Sequence, residues 1–213
     1  MGVGKSTLLR ALYDKLPGAR HTCHYVGSDL PSRGILRSVA RGLGLAPHWL
    51  RADLIDQVQR GVTDQFEKAG RRTLLTIDES HLLKYPVLED LRLLTNFKVD
   101  SSPILSLLLV GQPPLRERLM FKAAEAIDQR LEVKLVFEPM CRQETGEYLR
   151  HHLDLAGATG PIFAGAAEDL VFERTQGIPR RINQLALQSL ELAAERGEHI
   201  VDERLVELAA TLS

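Results

Sequence analysis

A glycine-rich segment followed at once by a lysine, two hydroxyl residues and a helical pattern is the feature that most constrains this chain. Residues 2–7 read GVGKST, and leucines recur behind them at helical spacing as far as Leu16. Backbone N–H groups at a glycine turn and at a helix N-terminus converge on one point and attract phosphate oxygens. The segment therefore predicts a phosphate-binding loop that opens a helix.

The pattern G-x-x-x-x-G-K-[ST] describes such loops in nucleotide-binding proteins. Gly4, Lys5 and Ser6 fill its last three positions, and its first glycine would lie before Met1. We expect Lys5 to neutralise β- and γ-phosphate charge and the Ser6 hydroxyl to bind Mg²⁺, so ATP and Mg²⁺ are the predicted ligands. The other residues expected to line the phosphates are Gly2, Val3 and Thr7.

Four short runs between helical patterns predict β-strands. Thr73–Asp78 and Ile104–Gly111 are nearly continuous apolar runs, which are typical of parallel strands buried on both faces. His21–Gly27 and Leu131–Phe137 are predicted as further strands. Strands that alternate with helices indicate an α/β fold with a parallel, doubly wound sheet.

Only helical patterns follow Pro139, so we predict an α/β nucleotide-binding domain over residues 1–138 and a helical lid domain over residues 139–213. The strand that normally feeds a phosphate loop would precede Met1 and is expected to be missing. Its neighbours would then carry unpaired backbone groups. We expect a chain extended upstream to bind ATP more tightly and to be more stable.

A second motif follows the predicted strand Thr73–Asp78, where the sequence reads TIDESH. Asp78 lies at a strand's carboxyl end, which faces the ligand in open α/β sheets. We predict that Asp78 holds Mg²⁺ through its water shell and that Glu79 orients and polarises the attacking water. The alternatives are a simple helix N-cap and the DExH box of helicases, which needs a second motor domain. His81 is either a coupling residue or a helix-surface histidine.

Further motifs carry a family resemblance: VGQPPLRERL at residues 110–119, DQRL at residues 128–131 and GIPRRINQL at residues 177–185. Together with the phosphate loop and the TIDESH motif, they resemble the ExeA/GspA-like branch of AAA+ P-loop ATPases. That branch is similar to the regulatory ATPases of transposons, the TnsC/TniB type. The resemblance covers essentially the whole chain, with the motifs in the expected order.

The resemblance implies three further roles. Gln112 matches a sensor near the γ-phosphate, although most AAA+ proteins have asparagine there. Arg130 matches the arginine finger that reaches a neighbouring subunit's nucleotide, with Arg116 and Arg118 as substitutes, and Arg180 matches the nucleotide-contacting arginine of the lid. These roles imply a homo-oligomer with ATP sites at subunit interfaces. The simpler alternative for each residue is a helix cap or a solvated surface charge.

Composition does not decide what the protein binds, and it gives only a general indication of its cellular compartment. A net charge of -1 excludes a globally basic surface, but Arg33, Arg37 and Arg41 would form a local basic stripe on one helix, unless that stripe is only a solvated face. Two distant cysteines and the absence of a long apolar run favour a cytoplasmic protein without a membrane segment.

Three functions remain open at this level. The first is a DNA transposition regulator that assembles on double-stranded DNA and recruits a transposase. The second is the core of an ExeA/GspA-like secretion ATPase. The third is a nucleotide switch that does not hydrolyse ATP.

Overall fold

The computed structural model describes residues 2–27, 30–97 and 103–212. Met1 and Ser213, the outer limits of the two predicted domains, lie outside the described residues. Backbone contacts divide the chain into two compact units. We call Leu9–Lys134 the α/β unit, and Met1–Leu8 together with Leu135–Ser213 the C-terminal unit. The domain boundary near residue 138 stays a prediction.

Strands and helices alternate through the α/β unit, as the sequence predicts. Helix α1 (Lys5–Lys15) leads into it, and a 3₁₀ turn at Ser80–Leu82 and another at Lys122–Ala124 interrupt the later part. The remaining elements are β1 (His21–Gly27), α2 (Ser32–Gly42), α3 (Arg51–Ala69), β2 (Arg72–Asp78), α4 (Tyr85–Leu94), β3 (Leu105–Leu109), α5 (Pro114–Leu119) and α6 (Glu125–Asp128).

The three strands form one parallel sheet in the order β1-β2-β3, with Gly27 opposite Asp78 and Ile77 opposite Leu109. The central strand β2 is the most buried of the three, and its Leu75 and Ile77 are fully buried. They join one hydrophobic core with the inward faces of α2, α3 and α4. This packing fixes the carboxyl end of β2, where the TIDESH motif begins.

The prediction of a strand at Leu131–Phe137 is wrong. Residues 131–140 have no regular secondary structure, and the side chains of Val133 and Leu135 are each 74% exposed. A strand needs a paired neighbour to satisfy its backbone groups, and within the described residues β3 pairs only with β2. The alternating pattern of residues 131–137 therefore does not become a strand, because none of the described strands pairs with it.

The C-terminal unit is helical after residue 141. It contains α7 (Arg142–Leu155), α8 (Gly165–Thr175), α9 (Pro179–Arg196) and α10 (Glu203–Leu212). Helix α9 has a signal at each end, since Pro179 suits its first turn and Gly197 ends the helix in the left-handed conformation. These four helices share a second hydrophobic core. Over the described residues, no helix combines the length and apolarity needed to cross a bilayer.

Candidate functional site

The carboxyl end of β2 turns sharply at the two predicted acidic residues. Asp78 is the last residue of the strand, and its Oδ1 accepts a hydrogen bond from the Glu79 N–H at 2.8 Å. The buried Ser80 hydroxyl donates to the Ile77 carbonyl at 2.7 Å, and the Ser80 N–H donates to the Val110 carbonyl. The serine thus pins the turn to β2, and both carboxylates emerge from a fixed backbone.

Glu79 adopts a left-handed backbone conformation, with φ 50° and ψ 33°. Such a conformation costs about 1–3 kcal/mol for a residue other than glycine and persists where surrounding contacts hold it in place. Glu79 immediately precedes the 3₁₀ turn but makes no capping hydrogen bond with its side chain. The carboxylate is therefore turned away from a cap and is available to other groups, which does not favour the N-cap interpretation.

Gln112 lies within hydrogen-bond reach of that carboxylate. Its Nε2 donates to Glu79 Oε2 at 3.1 Å, and His81 Nδ1 lies 3.4 Å from the same oxygen without hydrogen-bond geometry. Gly111 makes this approach possible, because a Cβ there would lie 3.1 Å from the His81 backbone nitrogen and 2.9 Å from a Leu115 methyl. The structure therefore brings Asp78, Glu79 and Gln112 together.

Tyr25 is a member of this cluster that the sequence analysis did not single out. Its hydroxyl donates to Asp78 Oδ2 at 2.7 Å from the neighbouring strand β1. This hydrogen bond to a carboxylate raises the pKa of Tyr25 to about 12, so the phenol stays protonated near neutral pH. The sequence did contain a signal for Tyr25. It lies two residues before the carboxyl end of a strand that was predicted to be parallel to the strand ending at Asp78.

The predicted phosphate loop belongs to the C-terminal unit, together with Arg180. Gly2 and Gly4 have φ of 87° and 93°, and α1 begins directly behind them at Lys5. The Arg180 N–H donates to the Gly2 carbonyl at 3.4 Å, and a Cβ on Gly2 would lie 2.9 Å from the Arg180 Cβ. Only glycine allows the start of α9 to lie so close to the loop.

The side chains around the loop are accessible. Ser6, Thr7 and Arg180 are exposed, and Lys5 and Val3 are half-buried. Within the described part of the chain, no side-chain hydrogen bond or ion pair engages Lys5, Ser6, Thr7 or Arg180.

The arginines expected to reach a neighbouring subunit's nucleotide differ in their contacts within this chain. Arg130 comes shortly after α6, and its side chain contacts the C-terminal end of α4. It donates to Thr95 Oγ1 at 3.1 Å and to the Arg92 carbonyl at 3.4 Å. Arg118 instead donates to the His81 and Leu83 carbonyls and stacks over the Tyr85 ring. Arg118 therefore braces the segment behind the 3₁₀ turn, which does not favour it as a substitute finger.

The predicted basic stripe lies on α2 and acquires an aromatic neighbour in the fold. The Arg33 guanidinium lies 4.8 Å from the centroid of the Trp49 ring, and its Nε donates to the Trp49 carbonyl at 3.0 Å. Trp49 is the chain's one tryptophan and is 73% exposed. None of the described carboxylates pairs with Arg33, Arg37 or Arg41.

A parallel α/β sheet, a glycine-rich loop opening a helix, and adjacent acids at the end of the central strand define a P-loop ATPase fold of the AAA+ class. The profile of the family described as "AAA domain" matches residues 1–119, and the chain belongs to that family. The transposon-regulator branch of the class is not identified by this match.

Three known proteins are similar to this chain. It is 30% identical over 220 residues to the general secretion pathway protein A of Aeromonas hydrophila, covering 99% of this chain but 39% of that protein. The ADP form of the Aeropyrum pernix ORC2 protein has a TM-score of 0.68 at 18% identity, covering 99% of this chain and 59% of that one. The Aeropyrum pernix ORC1 protein in complex with DNA has a TM-score of 0.61 at 17% identity, covering 99% and 57%. The chain thus spans only part of each relative.

Proposed function

We propose that this chain binds and hydrolyses ATP, with Glu79 as the residue that orients the attacking water. The observation that carries the proposal is the fixed position of the Glu79 carboxylate beside Asp78, where a left-handed backbone and the Gln112 amide hold it. A carboxylate positioned in this way can accept a proton from water as it attacks the γ-phosphate. Gln112 would couple the presence of the γ-phosphate to the position of Glu79 through its hydrogen bond to that carboxylate.

The phosphate loop supplies the binding part of the proposal. Consecutive backbone N–H groups around the positive-φ residues Gly2 and Gly4, followed by the N-terminus of α1, would bind the phosphate oxygens. Lys5 would neutralise the β- and γ-phosphates, with Val3 and Thr7 completing the loop. Arg180 would contact the phosphates from α9, since its backbone already lies against Gly2.

Mg²⁺ fits the oxygen donors of this chain. Asp78 offers a carboxylate and Ser6 a hydroxyl, whereas no group of three or more His, Cys, Asp or Glu residues among those described forms a metal cage. A magnesium ion held by one carboxylate, a hydroxyl, water and nucleotide phosphates needs no such cage. When bound, it would neutralise the charge that develops on the transferred phosphoryl group.

Arg130 would act on the nucleotide of a neighbouring subunit in a homo-oligomer. Its present partners are neutral oxygens at 3.1–3.4 Å rather than a carboxylate, so little holds it in place. A permanently charged, planar guanidinium suits the charge of a phosphoryl transition state. Supplying it from another subunit would make hydrolysis depend on assembly.

The test is the ATPase rate measured against protein concentration for the wild type and for Arg130→Ala. We expect specific activity to rise with concentration in the wild type and to stay low in the variant. Mixing Arg130→Ala with Lys5→Ala subunits should restore activity, because each supplies what the other lacks. A wild-type rate independent of concentration would contradict the assembly model, and ATP binding without turnover would indicate a non-hydrolysing switch.

For the biological role, we infer a transposition regulator that assembles on double-stranded DNA and recruits a transposase. The surface formed by Arg33, Arg37, Arg41 and Trp49 favours DNA, because its guanidiniums pair with none of the described carboxylates and can neutralise backbone phosphates. Residues four apart on a helix rise about 6 Å, so the three arginines would follow one strand of the backbone. The similarity to a fold solved in complex with DNA is compatible with this role.

This role is tested by fluorescence anisotropy of a labelled DNA duplex with a non-hydrolysable ATP analogue at several salt concentrations. Arg37→Gln should weaken binding and flatten its salt dependence, and the emission of Trp49 should change on binding. Arg204→Gln removes the same charge from a paired site in the C-terminal unit and serves as the control. Absent or salt-independent binding by the wild type would remove this role.

A second candidate is the core of a secretion-pathway ATPase. The 30% identity to general secretion pathway protein A over 99% of this chain favours it. Failure of DNA binding, combined with intact ATP hydrolysis, would favour this candidate over the transposition role.

A further inference from the structure

Both oxygens of the Asp78 carboxylate are held by hydrogen bonds in this fold. Oδ1 accepts the Glu79 N–H at 2.8 Å, and Oδ2 accepts the Tyr25 hydroxyl at 2.7 Å. The first bond comes from the backbone of the turn itself and does not depend on the Glu79 side chain. The second comes from another strand and depends on one side chain, so among the described residues it is Tyr25 that holds Oδ2.

The register of the sheet explains how Tyr25 reaches this oxygen. Tyr25 lies opposite Thr76, and Gly27 lies opposite Asp78 on the parallel strands β1 and β2. Residues two apart on a strand share a face, so Tyr25 and Gly27 lie on the same face of β1. Asp78 lies two residues further along β2 than Thr76, the partner of Tyr25, and the Tyr25 hydroxyl reaches its carboxylate at 2.7 Å.

We propose that Tyr25 is a positioning residue that holds the Asp78 carboxylate in the orientation that receives the water shell of Mg²⁺. Each carboxylate oxygen has two lone-pair sites, so one on each oxygen remains free while these two hydrogen bonds persist. A hydroxyl donating to a carboxylate makes a strong, charge-assisted bond that restricts rotation of the acid. Tyr25 is 55% exposed, which means that its hydroxyl is not needed for core packing.

This proposal rests on the proposed ATP site, and its test uses ligand binding rather than turnover. A fluorescent ATP analogue is titrated at increasing Mg²⁺ concentrations with the wild type and with Tyr25→Phe, which removes only the hydroxyl. We expect the half-saturating Mg²⁺ concentration to rise about 3–10-fold, the range expected for the net contribution of one typical hydrogen bond. Binding of the analogue in EDTA should not change.

Two controls separate positioning from a general structural effect. Tyr148→Phe, on α7 of the C-terminal unit, should leave the Mg²⁺ dependence unchanged. In an Asp78→Asn background, Tyr25→Phe should have no further effect, because the carboxylate through which it acts is absent. Thermal unfolding checks that each variant is folded.

The outcomes are distinguishable. If the wild type shows Mg²⁺-dependent binding and Tyr25→Phe shows the same or a lower half-saturating concentration, the role of Tyr25 is overturned while the ATP site stands. An equal effect of Tyr25→Phe in the Asp78→Asn background also overturns it. If the wild type binds no analogue with Mg²⁺ at any concentration, the proposed ATP site and the role of Tyr25 fall together.

Discussion

The side-chain amide of Gln112 donates a hydrogen bond to the Glu79 carboxylate, with 3.1 Å between Nε2 and Oε2. The two residues are far apart in sequence and follow neighbouring strands of the sheet. Gln112 comes shortly after β3, and Glu79 directly follows β2. The amide thereby connects the expected γ-phosphate sensor to the expected water-orienting acid.

We predict that Glu79→Gln lowers ATP hydrolysis about 100-fold or more, because an amide cannot accept the proton of the attacking water. Gln112→Ala should lower it about 10–100-fold, since the acid then loses its fixed orientation. Neither variant should change the dissociation constant for ATP much. Phosphate release and binding of a fluorescent ATP analogue measure the two effects separately.

Gln143→Ala is the matched control, because Gln143 makes an exposed hydrogen bond to Glu147 on α7 and neither residue has a proposed role in ATP binding or hydrolysis. Equal losses of activity in Gln112→Ala and Gln143→Ala would show that the Gln112–Glu79 bond has no special role.

A second prediction concerns stability of the α/β unit. The Asp90 side chain is buried, accepts a hydrogen bond from the Ser32 hydroxyl and pairs with Arg51, whose Nε lies 2.9 Å from Asp90 Oδ2. Asp90→Ala removes the acceptor and leaves these donors without it. We expect a loss of about 1.5–3 kcal/mol in the free energy of unfolding, measured by urea denaturation followed by circular dichroism.

The neighbouring acid gives a direct comparison. Glu89 forms a surface pair with Arg92 one turn further along the helix. Glu89→Ala should cost no more than about 0.5 kcal/mol, because solvent screens such pairs. Similar losses for the two variants would contradict a structural role of the buried Asp90 contacts.

A third prediction tests the absence of a strand at residues 131–137. Val133 is 74% exposed, so Val133→Ala should change the free energy of unfolding by no more than about 0.5 kcal/mol. Leu75→Ala, at a fully buried position on β2, should cost about 2–5 kcal/mol. A loss of core magnitude for Val133→Ala in the same urea experiment would show that this segment is buried.

A fourth prediction concerns pH. Glu144 Oε2 accepts the Cys141 N–H at 2.7 Å at the start of α7, and this bond lowers the pKa of Glu144 below its usual 4.5. A carboxyl with a lowered pKa in the folded state stabilises the fold above its unfolded pKa. That contribution is lost as the pH falls through the folded pKa.

The wild type should therefore melt at a higher temperature than Glu144→Gln at pH 7, and the difference should shrink below about pH 4.5. Glu147→Gln on the same helix is the control. A difference between wild type and Glu144→Gln that stays constant from pH 7 to pH 3 would contradict this role of the carboxylate.

Local patterns determined most of the elements and the candidate acids. The apolar run of β2 is long enough to require burial on both faces, and it places Asp78 at a strand end. Helix α9 has the proline at its start and the glycine beyond its end that its bounds require. Each of these features depends on residues that are neighbours in the chain, so periodicity and end signals suffice to predict them.

Only the tertiary structure decided which side chains meet. The bond between Tyr25 and Asp78 depends on the register of two strands, and the stacking of Arg33 on Trp49 depends on the path of the loop between α2 and α3. Hydrophobic periodicity predicts neither contact. Residues 131–137 alternate like a strand yet form none, because pairing depends on a neighbour and not on the segment itself. The sequence by itself thus determined the elements and the chemical groups, and the fold decided their partners.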